Sequence, residues 1–147
     1  MITTGSISAI LKHKGSAIWS IDPDATVYDA IQMMADKNVG ALLVMNGPEL
    51  LGIVSERDYT RKVALRGKSS RETAVREIVS TPVTVARPSH SIEECMRLMT
   101  TDRVRHLPVV EENRVVGIVS IGDLVNWTIS AQDLAINQLE KYISGQI

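Results

Sequence analysis

The chain has 147 residues, an ordinary apolar fraction of 44%, and a net charge of −1 with Lys and Arg interspersed among Asp and Glu. That length fits one compact unit or two small lobes. The even charge excludes a surface built for nucleic acid or another polyanion, and no apolar run approaches the roughly 18 residues that span a bilayer.

Phe is absent, and only two Trp and three Tyr are present, so Val, Ile, Leu and Met must fill the core. The single Cys95 cannot form an internal disulfide, which fits a reducing compartment. The first twenty residues lack acid, yet carry only two Lys, no Arg and no signal-type apolar region. A soluble, cytoplasmic protein without a membrane segment is expected.

In chain order, Ile7-x-x-Ile10-Leu11 predicts a short lead-in helix, followed by a β-prone stretch from Ile18 to Ile21 and an Asp22-Pro23 turn. Thr26 can cap a helix whose apolar residues Val27, Ala30, Ile31 and Met34 fall at helical spacing. A continuous apolar strand, Ala41 to Met45, precedes an Asn46-Gly47-Pro48 turn and a second strand, Leu50 to Val54, and Ser55 then opens another helix. The polar RGKSSRE stretch, Arg66 to Glu72, reads as a linker.

The same succession follows. Val75-x-x-Ile78-Val79 mirrors the lead-in, and Val83 to Val85 mirrors the β-prone stretch before Arg87-Pro88. Ser91 can cap a helix bearing Ile92, Cys95, Met96 and Met99. Strands at Leu107 to Val110 and Val115 to Val119 flank a Glu111-Glu112-Asn113 turn, and Ser120 opens the last helix or pair of helices. Apolar Leu134, Leu139 and Ile143 in that tail serve either a dimer contact or packing on the same subunit.

Setting each residue against the one 65 positions later makes the repeat explicit without a gap. Pro23 falls on Pro88, Met34 on Met99, Val39 on Val104 and Val44 on Val109. Gly52-Ile53-Val54-Ser55 falls on Gly117-Ile118-Val119-Ser120, and Asp58 falls on Asp123. The expected fold is mixed α/β: two β-α-β-β-α repeats related by a pseudo-twofold, with an extra N-terminal helix and a C-terminal helix. The expected boundaries are repeat one at 7–65, linker at 66–72, repeat two at 73–130 and helical tail at 131–147. Unbroken apolar strands imply sheets covered by helices on at least one face.

A tandem β-α-β-β-α unit whose copies both close on Gly-x-x-Ser-x-x-Asp resembles the CBS-domain pair, or Bateman module. The phrases VGALLV, GIVSERDYTRKV and RVRHLPVV…GIVSIGDLV resemble stand-alone CBS-pair proteins, with no catalytic or membrane domain attached. The resemblance implies adenine-nucleotide binding (AMP, ADP, ATP or NAD) in two composite clefts, usually in a homodimer, with occupancy passed to an effector protein.

Carried over, one site combines Ser55, Arg57 and Asp58 with Val83, Thr84 and the Arg105-His106-Leu107 strand start. The other combines Ser120 and Asp123 with Ile18, Trp19, Ser20 and the Gly40-Ala41-Leu42 strand start.

The residue chemistry agrees. A carboxylate suits vicinal ribose hydroxyls, Ser at a helix start adds a hydroxyl beside free N–H groups, and Gly52 and Gly117 permit close backbone approach. Ser-x-x-Asp is also a capping box, and in isolation that is its commoner use; its recurrence in an intact repeat favours a ligand role at both corners. On that view the aspartates are exposed and unpaired in the empty protein. The copies are unequal: Arg105-His106 stands against Gly40-Ala41, and Ile121-Gly122 stands where Glu56-Arg57 does, so the second corner lacks the cation beside its Asp. Trp19 either stacks on a base or packs in the core.

Rival functions divide by class. A constitutive interaction scaffold with vestigial clefts is the alternative to a sensor. An enzyme is not expected: Cys95 sits at helical spacing with Ile92 and Met99 as a packed thiol, His13, His90 and His106 lack metal-ligand spacing, and no Gly-rich phosphate loop occurs.

Overall fold

The structure, a computed structural model, describes residues 5–15 and 17–143, with the side chains of 132–135 and 142 excepted. Leu134 and residues 144–147 of the expected tail therefore lie outside the described residues.

The described elements follow the expected order: α1 (Ile7–Lys14), β1 (Ser20–Ile21), α2 (Val27–Lys37), β2 (Ala41–Asn46), β3 (Glu49–Ser55), α3 (Glu56–Lys62), α4 (Ile92–Asp102), β4 (His106–Glu111), β5 (Arg114–Ser120) and α5 (Ile121–Ile143). The mixed α/β repeat architecture is thus as read from the sequence. Single 3₁₀ turns lie at Ala64–Arg66 and Val75–Glu77. Ser120 precedes one continuous helix of 23 residues, α5, which runs on into the expected tail as far as Ile143.

The caps explain where helices begin and end. Thr26 Oγ1 accepts from the Asp29 N–H at 3.1 Å, and Ser91 and Glu94 form a reciprocal box at the start of α4. Both helices stop on a left-handed residue, Asn38 and Arg103, again 65 positions apart. In the second hairpin Glu112 and Asn113 both take positive φ, the conformation that matches the twist of a two-residue connection.

The strand pairing repeats residue by residue. Ala41 opposite Ser55 becomes His106 opposite Ser120, Val44 opposite Gly52 becomes Val109 opposite Gly117, and the register shifts immediately after Val44 and Val109. β1 runs parallel to β2 through Ile21 and Val44; its counterpart is the single parallel bridge of Ala86 to Val109, not a strand at Val83 to Val85.

The compact units do not follow the order of the copies. One unit holds Ala17–Val83; the other joins the residues before it to those from Thr84 on. Each unit therefore contains the lead-in of the other copy. In the first unit the N–H groups of Val75 and Arg76 donate to the carbonyls of Ala25 and Pro23, at 2.8 and 2.9 Å. In the second, the N–H groups of Ile7 and Ser8 donate to the carbonyls of His90 and Pro88, each at 3.0 Å. The stretch 66–72 also stays within the first unit, where the Ser70 carbonyl accepts from the Tyr28 N–H at 2.9 Å and Arg71 lies over the Tyr28 ring.

The two cores correspond in the same way. Val27, Met34, Leu42, Val44 and Val54 pack with Val75 and Ile78; Ile92, Met99, Leu107, Val109 and Val119 pack with Ile7 and Ile10. An eight-residue helix is marginal alone, so α1 depends on burying Ile7 and Ile10, each worth about 1.5–3 kcal/mol. Cys95 is a buried core thiol, and burial first, then Glu94, push its pKa up to about 11.

The glycines mark where each lead-in docks. A Cβ on Gly52 would lie 2.5 Å from the Ser80 carbonyl oxygen and 2.7 Å from a Val79 methyl; one on Gly117 would lie 2.6 Å from a Leu11 methyl. The first obstacle is backbone and the second the tip of a side chain. Gly52→Ala should therefore lower the unfolding free energy by about 1–3 kcal/mol, and Gly117→Ala by less than about 1 kcal/mol. Urea denaturation of both variants measures the difference; equal costs would contradict the assigned contacts.

Candidate functional site

The conserved geometry of the hairpins places each Ser-x-x-Asp corner at a strand end, against the start of the partner strand. In the first unit Ser55 ends β3 opposite Ala41, and the Gly40 carbonyl accepts from the Glu56 N–H at 3.1 Å. In the second, Ser120 ends β5 opposite His106, and the Arg105 carbonyl accepts from the Ile121 N–H at 2.8 Å. Each unit thus carries part of each expected composite site. The first holds Ser55, Arg57, Asp58 and Val83 with Ile18, Trp19, Ser20, Gly40, Ala41 and Leu42; the second holds Thr84, Arg105, His106 and Leu107 with Ser120 and Asp123.

Both corners are reciprocal caps. The Ser55 N–H and hydroxyl donate to Asp58 Oδ2 at 2.9 and 3.0 Å, and the Asp58 N–H donates to Ser55 Oγ at 3.2 Å. The Ser120 N–H donates to Asp123 Oδ2 at 2.8 Å, and the Asp123 N–H donates to Ser120 Oγ at 3.1 Å.

The expectation of exposed, unpaired carboxylates fails. Asp58 is only 9% exposed, and its Oδ1 accepts from the Ser80 hydroxyl at 2.9 Å and pairs with Lys62 Nζ at 3.0 Å. Lys62 also donates to the Ile78 carbonyl at 3.0 Å. A carboxylate taken out of water needs such partners, because an uncompensated buried charge is costly.

Asp123 is held differently. Lys14, on the last turn of α1, donates to Asp123 Oδ2 at 2.6 Å and to the Ile118 carbonyl at 2.9 Å. The second corner does not lack a cation; it draws one from 109 residues away in the chain. No partner for Asp123 Oδ1 is found among the described residues. Burial is the largest influence on this carboxyl and raises its pKa. The hydrogen bonds from Lys14 and Ser120, with the charge of Lys14, outweigh it and leave the value below the ordinary range.

His106 shares this corner. Burial lowers its pKa, Asp123 opposes that, and Lys14 and Arg105 add to it, so the ring is neutral at pH 7. The Arg105 side chain is exposed and available as a permanent cation.

The remaining expected site residues divide clearly. Leu42 and Leu107 are fully buried, with side chains in the two cores. The Thr84 hydroxyl donates to Asp102 at 2.6 Å, and Val83 is half-buried. Arg57 and Ser20 are exposed, Ile18 and Gly40 half-buried, and Ala41 buried. Trp19 is 38% exposed, which sets aside the core reading, and the Lys37 ammonium lies 4.4 Å from its ring centre. Among the described residues no His, Cys, Asp and Glu converge on a metal position, and no helix is long and apolar enough to cross a membrane.

Sequence reasoning missed Lys62, Ser80 and Lys14. Lys62 was findable, since it lies four residues beyond Asp58 on the same helix. Ser80 and Lys14 arrive through tertiary packing and leave no local signal. The pairing predicts a stability cost in the empty protein: Asp58→Ala should lower unfolding free energy by about 1–3 kcal/mol, and Asp123→Ala by less because its side chain is 25% exposed. Denaturant titration without ligand decides this, and an Asp58→Ala protein as stable as the parent would refute it.

The sequence matches the CBS domain family over residues 16–65 and again over 75–130. It is 37% identical over 150 residues to the CBS domain-containing protein CBSX3, mitochondrial, of Arabidopsis thaliana, covering 95% of this chain and 72% of that one. A putative signal-transduction protein with CBS domains from Burkholderia ambifaria has the same fold, with a TM-score of 0.84 and 46% identity over 87% of this chain and 96% of that one. The CBS domain pair of MJ0100, solved with 5′-methylthioadenosine and S-adenosyl-L-methionine, superposes with a TM-score of 0.73 at 21% identity, covering 83% and 94%. Two copies of one family's unit, joined in register within a single chain, make this protein a member of the CBS-domain family and, as a pair of such domains, a regulatory module.

Proposed function

We propose that the protein is a sensor of adenine nucleotides, AMP, ADP, ATP or NAD, without catalytic activity of its own. It binds them at two composite sites and acts in trans on an effector protein as a homodimer in the cytoplasm. The observation that carries this reading is the recurrence of the Ser-x-x-Asp corner in identical strand register, with a carboxylate, a helix N-terminus and a lysine converging at both copies. These are the elements that ribose hydroxyls and a phosphate require. The ligands in the MJ0100 structure, 5′-methylthioadenosine and S-adenosyl-L-methionine, share with these nucleotides the adenosine moiety.

The first site joins Ser55, Arg57 and Asp58 to Val83, Thr84, Arg105, His106 and Leu107. The second joins Ser120 and Asp123 to Ile18, Trp19, Ser20, Gly40, Ala41 and Leu42. Leu42 and Leu107, whose side chains are core, contribute backbone only. A scaffold with vestigial clefts is the competing reading, favoured by the saturation of the Asp58 carboxylate by Ser80 and Lys62.

Thermal unfolding separates the two. A ligand at 100 times its dissociation constant stabilises the fold by about 2.7 kcal/mol, a melting shift on the order of 5–10 °C at this size. AMP, ADP, ATP, NAD and S-adenosylmethionine at millimolar concentration are the probes, and an unmoved curve with all five would leave the scaffold.

The sites are also unequal. Calorimetry should resolve a tighter, salt-sensitive site and a weaker one, and Arg105→Ala should weaken the tighter by about 1.5–3 kcal/mol. Two equal isotherms, both indifferent to that substitution, would contradict the role given to Arg105.

A further inference from the structure

We propose that Lys14 is an exchangeable counter-ion that makes the Asp123 corner select nucleotides over nucleosides. In the empty protein it neutralises Asp123; when a ribose engages the carboxylate, the ammonium transfers to the ligand's phosphate. This rests on the reading of Asp123 as a ribose acceptor.

Counting acceptors leads there. Asp123 Oδ2 already accepts from the Ser120 N–H at 2.8 Å and from Lys14 at 2.6 Å, which fills its two lone pairs. A vicinal diol that grips both carboxylate oxygens must displace one of these. The Ser120 N–H is fixed by the capping box, whereas the Lys14 ammonium ends a flexible chain and is partly open to solvent, with the two side chains 32% and 25% exposed. Lys14 is the partner that yields.

The displaced ammonium stays close by. The first turn of α1 is fixed by its own N–H bonds and by Ile7 and Ile10, and Leu11 is seated against Gly117, so only the side chain of Lys14 needs to move. An arriving phosphate therefore finds the released ammonium at the same corner.

The other corner gives the contrast. There the ammonium comes from Lys62, whose counterpart 65 residues on is Trp127, while Lys14 corresponds to Pro82 among the lead-ins. Different positions thus deliver the same charge to equivalent carboxylates. Asp58 is buried with both oxygens engaged, so the Asp123 corner is the one where the exchange is open.

The test is calorimetric titration with AMP and with adenosine of the full chain, as wild type, Lys14→Ala, Lys14→Arg and Asp123→Asn, following the site that Asp123→Asn abolishes. Lys14→Ala should weaken AMP by at least about tenfold and leave adenosine unchanged or tighter, since the carboxylate no longer has to shed a partner. Lys14→Arg should hold AMP within about threefold of wild type, because the cation is kept. An equal loss for both probes, or no loss for either, would overturn the exchange while leaving the ribose reading of Asp123 intact. A wild-type protein that binds neither probe, or binds both regardless of Asp123→Asn, would overturn that reading and the exchange with it. Melting curves of the unliganded variants identify any loss that comes from unfolding, and in that case the Lys14→Arg comparison decides alone.

Discussion

The contact on which this structure depends is a lead-in segment lying against a glycine of the neighbouring copy. At Gly52 and Gly117 a strand has no side chain, and the vacated space is filled by Val79 with the Ser80 carbonyl in one unit and by Leu11 in the other. Around those contacts the remaining arrangement follows. Ile7 and Ile10, or Val75 and Ile78, complete a core that the hairpin and its helix leave open on one side. The same segments then carry polar groups to the closing corner. Ser80 gives its N–H to the Ile53 carbonyl and its hydroxyl to Asp58, while Lys14 reaches both the Ile118 carbonyl and Asp123. One backbone N–H and one hydroxyl in the first unit are matched by a single ammonium in the second.

Much of this was legible in the sequence, and the reasons are local. Thr26 and Ser91 announce helix starts because their side chains bond the adjacent turn, and the apolar spacing after them needs no tertiary knowledge. The repeat carried the strand register as well, since identical hydrophobic runs around a fixed Gly must pair alike. What stayed hidden is long-range. Nothing in Ile7-x-x-Ile10-Leu11 says which copy it packs on, and nothing near Asp123 points to a lysine more than a hundred residues away. The single bridge at Ala86, where a second β1 was expected at Val83 to Val85, has the same origin: strand assignment there depends on a neighbour's hydrogen bonds and not on residue preference.

On the proposed reading, capping and ligand binding at these corners are compatible. A Ser-x-x-Asp box holds the carboxylate at the helix N-terminus, in the place where a ribose and its phosphate would meet it. Capping fixes the position of the carboxylate. The difference between the two copies then lies in how firmly the carboxylate is held, with Asp58 buried under a lysine and a serine and Asp123 half-open beside one lysine.

The exchange of lead-ins has a consequence for how the chain is made. The unit of Ala17–Val83 is contiguous, so its core can close as soon as those residues leave the ribosome. α1 is synthesised earlier and has no proper seat until Gly117 and Leu124 appear about a hundred residues later, a wait of roughly 5–20 s at ordinary rates of translation. The two lead-ins differ in form as well as in timing: one is an eight-residue helix ending in Lys14 and the other a single 3₁₀ turn running into Ser80.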